Sequence, residues 1–150
     1  MYFELSTCIA RPVPVVFSFF RDKHKLTQEK DSSVQIIEKT TSGPVGKGTC
    51  YLEVVRILPF YRETIISEIT VYEPEKLIEE CFESSMMKGR LTYRFIADVN
   101  KTRLTQQEDL WMRGLMVPFQ PLIRRTFSSK LKKRLDGIRK ILESGWTTID

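Results

Sequence analysis

Histidine is the scarcest chemical resource in this 150-residue chain, which holds one, His24. It lies in the polar run Asp22-Lys23-His24-Lys25, with no convincing nucleophile or orienting acid in its neighbourhood. A serine-type triad, which needs an imidazole base held by a third group, therefore has no support here. The three cysteines, Cys8, Cys50 and Cys81, are far apart, each in a strand-like segment. Metal sites usually bring ligands in closely spaced pairs, so the cysteines read as small sheet residues with free thiols, and neither a metal nor another cofactor is expected. Long apolar runs are missing too: the longest are interrupted within a few residues, whereas a spanning helix needs about 20. The start, Met1-Tyr2-Phe3-Glu4-Leu5-Ser6, alternates polar and apolar residues and lacks a basic leader followed by an apolar stretch. A cytoplasmic protein without signal peptide or membrane span is the expectation.

Glycine is also sparse, seven in all, and three are gathered in Gly43-Pro44-Val45-Gly46-Lys47-Gly48-Thr49. A phosphate-binding loop requires Gly, four residues, then Gly-Lys-Ser/Thr opening a helix. Here position 48 is glycine and a strand-like segment follows, so the segment reads as a turn.

The net charge of +5 is concentrated. Residues 1–116 carry 16 basic and 16 acidic side chains, while residues 117–150 carry eight basic and three acidic ones. Arg124, Arg125, Lys130, Lys132, Lys133, Arg134, Arg139 and Lys140 supply the whole excess. The one aromatic among them, Phe127, belongs to the apolar stripe of the helix rather than to a series that could stack on bases, so nucleic acid is not expected. A solvated face that complements the helix dipole accounts for such a set, and so does transient contact with an anionic membrane surface or an acidic partner.

Alternation and turn signals organise the rest. Tyr2–Ile9 reads as a half-buried strand with Phe3, Leu5, Thr7 and Ile9 on one face. Arg11-Pro12-Val13-Pro14 halts it and opens a short helix through Val16, Phe17 and Phe20 that ends near Asp22. Lys23–Ser33 reads as a second short helix or a loop. Strands are then expected over Val34–Thr40, Thr49–Ile57, Arg62–Glu73, Leu77–Ser84, Arg90–Asp98 and Thr102–Leu110, joined by short hairpin connections. From Val117 to Glu143 the residues Phe119, Leu122, Ile123, Phe127, Leu131, Leu135, Ile138, Ile141 and Leu142 recur at helical spacing. Pro121 sits where it can displace the regular start of that helix by a turn. The expectation is one α+β domain over residues 1–150: a curved antiparallel sheet of about seven strands wrapped around a long C-terminal helix, with one or two short helices after the first strand.

This order of elements resembles the START-like, or SRPBCC, helix-grip superfamily, and is similar to its polyketide cyclase/dehydrase and lipid-transport branch. The resemblance is carried by Ile9-Ala10-Arg11-Pro12 through Val16-Phe17 with Arg21-Asp22, by the Gly43 to Thr49 hairpin, by Glu68 through Tyr72-Glu73-Pro74-Glu75-Lys76-Leu77, and by Lys101-Thr102-Arg103-Leu104-Thr105. Lys25-Leu26-Thr27-Gln28 stands where relatives often place an aromatic after the first helix, a departure from the co-chaperone-like subgroup. The resemblance implies an apolar cavity between sheet and last helix that holds a lipid, polyketide or similar hydrophobic small molecule, with the Gly43, Gly46 and Gly48 loop near its entrance.

On that reading the faces with apolar residues at every second position nominate the lining: Ile69 and Val71, Tyr93 and Phe95, Leu104, with Phe119, Ile123 and Phe127 from the covering helix. The same residues equally suit a dry core, since both want apolar walls. The Gly43–Gly48 loop and the Met86-Met87-Lys88-Gly89 tip are the candidate entrance. Among strand acids, Glu68, Glu79 and Glu108 are the candidates for an inward carboxyl whose pKa burial would raise into the acid/base range, the basis of a cyclase or dehydratase alternative. Their other reading is the solvent face of a sheet. An interaction protein using the basic helix face is the third reading.

Overall fold

The computed structural model describes residues 1–22 and 34–147. The Lys23–Ser33 segment, with His24, lies outside the described residues. Seven strands form one antiparallel sheet in the order β1-β7-β6-β5-β4-β3-β2: β1 (Tyr2–Ile9), β2 (Val34–Lys39), β3 (Cys50–Leu58), β4 (Tyr61–Glu73), β5 (Leu77–Glu83), β6 (Met87–Asp98) and β7 (Lys101–Met112). Helix α1 (Val13–Arg21) follows β1; a 3-10 segment (Gly114–Phe119) leads into α2 (Gln120–Glu143). The sheet curves around the last helix, as the pattern of strands and stripe predicts.

From β2 to β7 each strand reverses the one before, so the connections fall at two ends. The β2–β3 loop with Gly43–Gly48, the β4–β5 turn and the β6–β7 turn lie at one end, called here the near end, where α1 begins. The β3–β4 tip at Phe60, the β5–β6 turn at Met86 and the 3-10 segment lie at the far end. Antiparallel pairing thus separates the two loops nominated as one entrance: they do not share a rim. The second loop is also shorter than expected, because β6 begins at Met87, which is buried and paired with Met112 rather than exposed at a tip.

Pro12 and Pro14 occupy the start of α1, where the absent N–H costs no helical bond. Its apolar residues fill the near end: Phe17 meets Tyr72 and Phe95 with ring centroids 5.6 and 5.2 Å apart, and Phe20 meets Tyr93 and Phe95 at 4.7 and 5.7 Å. Leu131, Leu135, Ile138 and Leu142 of α2 are buried, and its C-terminal end is fastened there. Arg11 Nη1 donates to the Leu142 carbonyl at 2.6 Å, the Ala10 amide to Glu143 Oε1 at 3.0 Å, and Trp146 packs on Phe19 at 5.1 Å.

The start of α2 differs. Pro118 and Pro121 interrupt amide donation, the chain takes a 3-10 path to Phe119, and α2 begins at Gln120, three residues later than Val117. Phe119 and Leu122, expected in the buried stripe, are 53% and 60% exposed. At about 100° per residue Leu122 falls opposite Leu131, so its spacing fits a helix but not the seated face.

Candidate functional site

Cross-strand register defines the concave face. Directly opposed residues share a face, so Phe3, Glu108, Leu91, Glu80 and Ile69 form one row across β1, β7, β6, β5 and β4. The next row toward the near end is Leu5, Gln106, Tyr93 and Ile78. Two apolar clusters lie along this face. One, at the near end, contains Ile69, Tyr93, Phe95 and Leu104 under α1; the other, toward the far end, contains Ile65, Met87 and Leu110 with Met1, Val55, Ile57, Phe82 and Met112 packed against it.

Between them runs a belt of buried polar side chains. Glu80, Gln106 and Glu108 are 4%, 2% and 8% exposed. Gln106 Nε2 donates to Glu108 Oε2 at 3.4 Å, and Ser67 Oγ donates to Glu53 Oε1 at 2.8 Å. Burial pushes the Glu108 carboxyl up to about 7, against the downward pull of Arg134 on α2 and the Gln106 hydrogen bond, with the Glu80 charge adding to the rise. Glu108 is thus poised to hold or release a proton near neutrality, on a wall otherwise shielded from water. A different buried acid, Glu63, is tied down: burial raises its pKa, but hydrogen bonds from Tyr61, Ser85, Ser84 and the Met86 amide outweigh that and leave it lowered. Its oxygens hold the β5–β6 turn, with Ser85 Oγ at 2.8 Å and Met86 N at 3.3 Å.

The residues nominated from sequence divide. Ile69, Tyr93, Phe95 and Leu104 come together, with rings of α1 packed on them. Phe127 lies further along α2 against Phe3, ring centroids 4.8 Å apart, and is half-buried, as is Ile123. Phe119 is exposed on the far end. Val71 does not share a face with Ile69: a β-bulge between them pairs Ile69 with Glu80 but Val71 with Glu79, and the face passes to Tyr72, which pairs with Ile78. One added residue reverses every side chain beyond it. Gly43 and Gly48 adopt positive φ, +86° and +87°, in the near-end loop, while Gly46 donates its amide to Thr49 Oγ1 at 3.0 Å.

Of the three candidate acids only Glu108 is inward. Glu68 is exposed, and Glu79 is on the outer face, where it accepts from Thr70 Oγ1 at 2.9 Å. The sequence reading missed Glu53, Glu63, Glu80, Gln106 and Arg134. The signal was present as alternation: Glu63, Ser67 and Ile69 recur at even spacing with Ile65, and Glu80 stands between Ile78 and Phe82.

Two recesses stand out among the described residues. A groove of about 590 Å³ on the sheet is walled by residues including Cys50, Ile66, Glu68, Cys81, Arg90 and Trp111, and one of about 230 Å³ lies between β1 and α2 at Leu5, Thr7, Lys132 and Asp136. Glu108 walls neither. Among the described residues no group of three or more His, Cys, Asp or Glu is placed to hold a metal, and no helix is long and apolar enough to cross a membrane.

Solved structures share this architecture. The chain superposes on the Zhui aromatase/cyclase of Streptomyces sp. R1128 with a TM-score of 0.80 at 13% identity, over 95% of this chain and 93% of that one. A START superfamily protein of Mycobacterium smegmatis gives 0.79 at 10% identity, over 95% and 97%. Ara h 8.0201 gives 0.73 at 12% identity, over 97% and 99%. No protein-family model and no curated protein matches the sequence. The chain has the START-like, helix-grip fold.

Proposed function

We propose that this protein binds a hydrophobic small molecule between the concave face of the sheet and α2, with the apolar body against the far-end cluster and a polar group at the Glu108–Gln106 belt. The observation that carries the reading is Glu108: a carboxyl 8% exposed, pushed up to about 7 by burial, in a polar belt between two apolar clusters. Burying such a group costs stability that the Gln106 hydrogen bond and the Arg134 charge offset only in part, and a ligand hydroxyl would add a further polar partner. Affinity would come chiefly from apolar burial at about 25 cal/mol per Å² before association costs. Access is easiest under the first turns of α2, where Ile123 and Phe127 are only half-buried while Leu131 and the residues beyond are sealed.

Native mass spectrometry of freshly purified protein, with melting shifts over a panel of lipids, sterols and polyketide-like aromatics, tests this. A retained adduct or a ligand-specific rise in Tm is expected. Absence of both overturns it. Binding should also be linked to protons: a hydroxyl that donates to the Glu108 carboxylate lowers its pKa, so calorimetry near pH 7 in buffers of different ionisation enthalpy should show proton release that Glu108→Gln abolishes.

The same carboxyl supports a second reading. A group titrating near 7 suits general acid/base work of the cyclase or dehydratase kind, and one structural neighbour is an aromatase/cyclase. Turnover of a polyketide-like substrate that follows one ionisation near 7, and falls at least about 100-fold in Glu108→Gln, would favour it over simple binding.

A further inference from the structure

The far end of the fold exposes apolar side chains that the proposed ligand site does not use. The 3-10 segment contains no buried residue, and Leu115, Val117 and Phe119 are 82%, 46% and 53% exposed. Leu122 follows on α2, and Phe60, 88% exposed, projects from the β3–β4 tip. These pieces flank the β5–β6 turn: the Tyr61 hydroxyl reaches Met86 Sδ at 3.6 Å, and the Arg113 amide, at the start of the 3-10 segment, donates to the Met86 carbonyl at 2.8 Å.

Cations frame the same end. Arg125 is exposed on the same side of α2 as Leu122, and Arg56 and Arg62 are exposed on the β3–β4 hairpin. At about 100° per residue, Leu122, Arg125, Ser129, Lys133 and Lys140 share the side of α2 turned away from the sheet, and all are exposed. Apolar residues at a protruding end, continuous with a basic helical face, are the composition of an interfacial anchor.

We propose that this end docks on an anionic phospholipid bilayer. Phe60, Leu115, Val117, Phe119 and Leu122 enter the boundary between head groups and acyl chains, and Arg125 of α2, with Arg56 and Arg62 of the hairpin, meets lipid phosphates. Charge argues against a second copy as the occupant, because that contact would bring together two segments carrying the whole positive excess of each chain. Shape argues against a folded acidic partner: the apolar groups project from a hairpin tip, a 3-10 segment and a helix, which suits a yielding surface.

The inference rests on exposure and charge and is independent of the ligand site's occupancy. The full chain is sedimented with vesicles of phosphatidylcholine alone and of phosphatidylcholine with phosphatidylglycerol, at low and high salt. Binding is expected only with phosphatidylglycerol and should be lost as salt is raised. The pairs Leu115→Glu/Phe119→Glu and Arg62→Glu/Arg125→Glu should each weaken it by about tenfold or more, with melting and ligand-adduct spectra unchanged because these side chains are exposed. Equal binding to neutral vesicles, variants that bind like the parent, or a concentration-dependent dimer abolished by Leu115→Glu/Phe119→Glu would overturn the proposal.

Discussion

Glu108 and Glu63 are both buried acids on β-strands, and their surroundings send them in opposite directions. Glu63 receives hydrogen bonds that favour its charge despite burial, so its contribution to stability is present above the unfolded carboxylate range and is lost as acid protonates it. Glu108 is raised to about 7, so the unfolded chain releases its proton first. Stability from this group is intact below the unfolded value, falls as pH rises toward 7 and levels off beyond it. Denaturant melts from pH 4 to 9 should show that fall, and Glu108→Gln should flatten it and stabilise the protein at pH 8 by about 3 kcal/mol. Gly89 makes a steric prediction. A Cβ there would lie 2.2 Å from Phe82 Cζ and 2.7 Å from the Asp109 carbonyl oxygen. The ring can turn but the backbone oxygen cannot, so Gly89→Ala should cost about 1–3 kcal/mol by urea denaturation.

At the scale of elements, α2 is a helix seated along its C-terminal half. Leu135→Ala should lower unfolding free energy by about 2–5 kcal/mol, whereas Leu122→Ala should change it by less than about 0.5 kcal/mol. Equal losses would mean that the first turns are as firmly packed as the last. The sequence carried the stripe from Leu131 to Leu142 and the seven strands, because turn residues and period-two alternation punctuate each hairpin. Phe119 and Leu122 were misplaced because helical spacing says nothing of how far the sheet reaches beneath a helix. Val71 was misplaced because Ile69-Thr70-Val71-Tyr72 offers no local mark of the bulge. The polar belt was readable only in part: Glu108 was a candidate, but Glu80 and Gln106 look like solvent-face residues until register sets them opposite Leu91 and Tyr93.

The whole molecule has two unlike ends. At the near end α1 supplies aromatic rings that fill the sheet's hollow, and Arg11, Ala10 and Trp146 fasten the close of α2. At the far end the first turns of the helix are exposed or half-buried, and the apolar cluster there is methionine-rich, Met1, Met87 and Met112, with unbranched side chains that adapt to irregular shapes. A hydrophobic ligand would enter where packing is weakest and place its polar group at the belt between the two clusters. The outer groove of about 590 Å³ is the competing location, and most of its lining residues, Ile66, Glu68, Cys81, Arg90 and Trp111 among them, face the opposite side of the sheet. Photo-crosslinking with a neutral long-chain alcohol carrying a diazirine, followed by peptide mapping, separates the two. Adducts should fall on Phe3, Leu91, Ile123 or Phe127 and be competed by excess unlabelled alcohol; adducts confined to Ile66 and Trp111, or none that can be competed, would contradict a ligand held between sheet and helix.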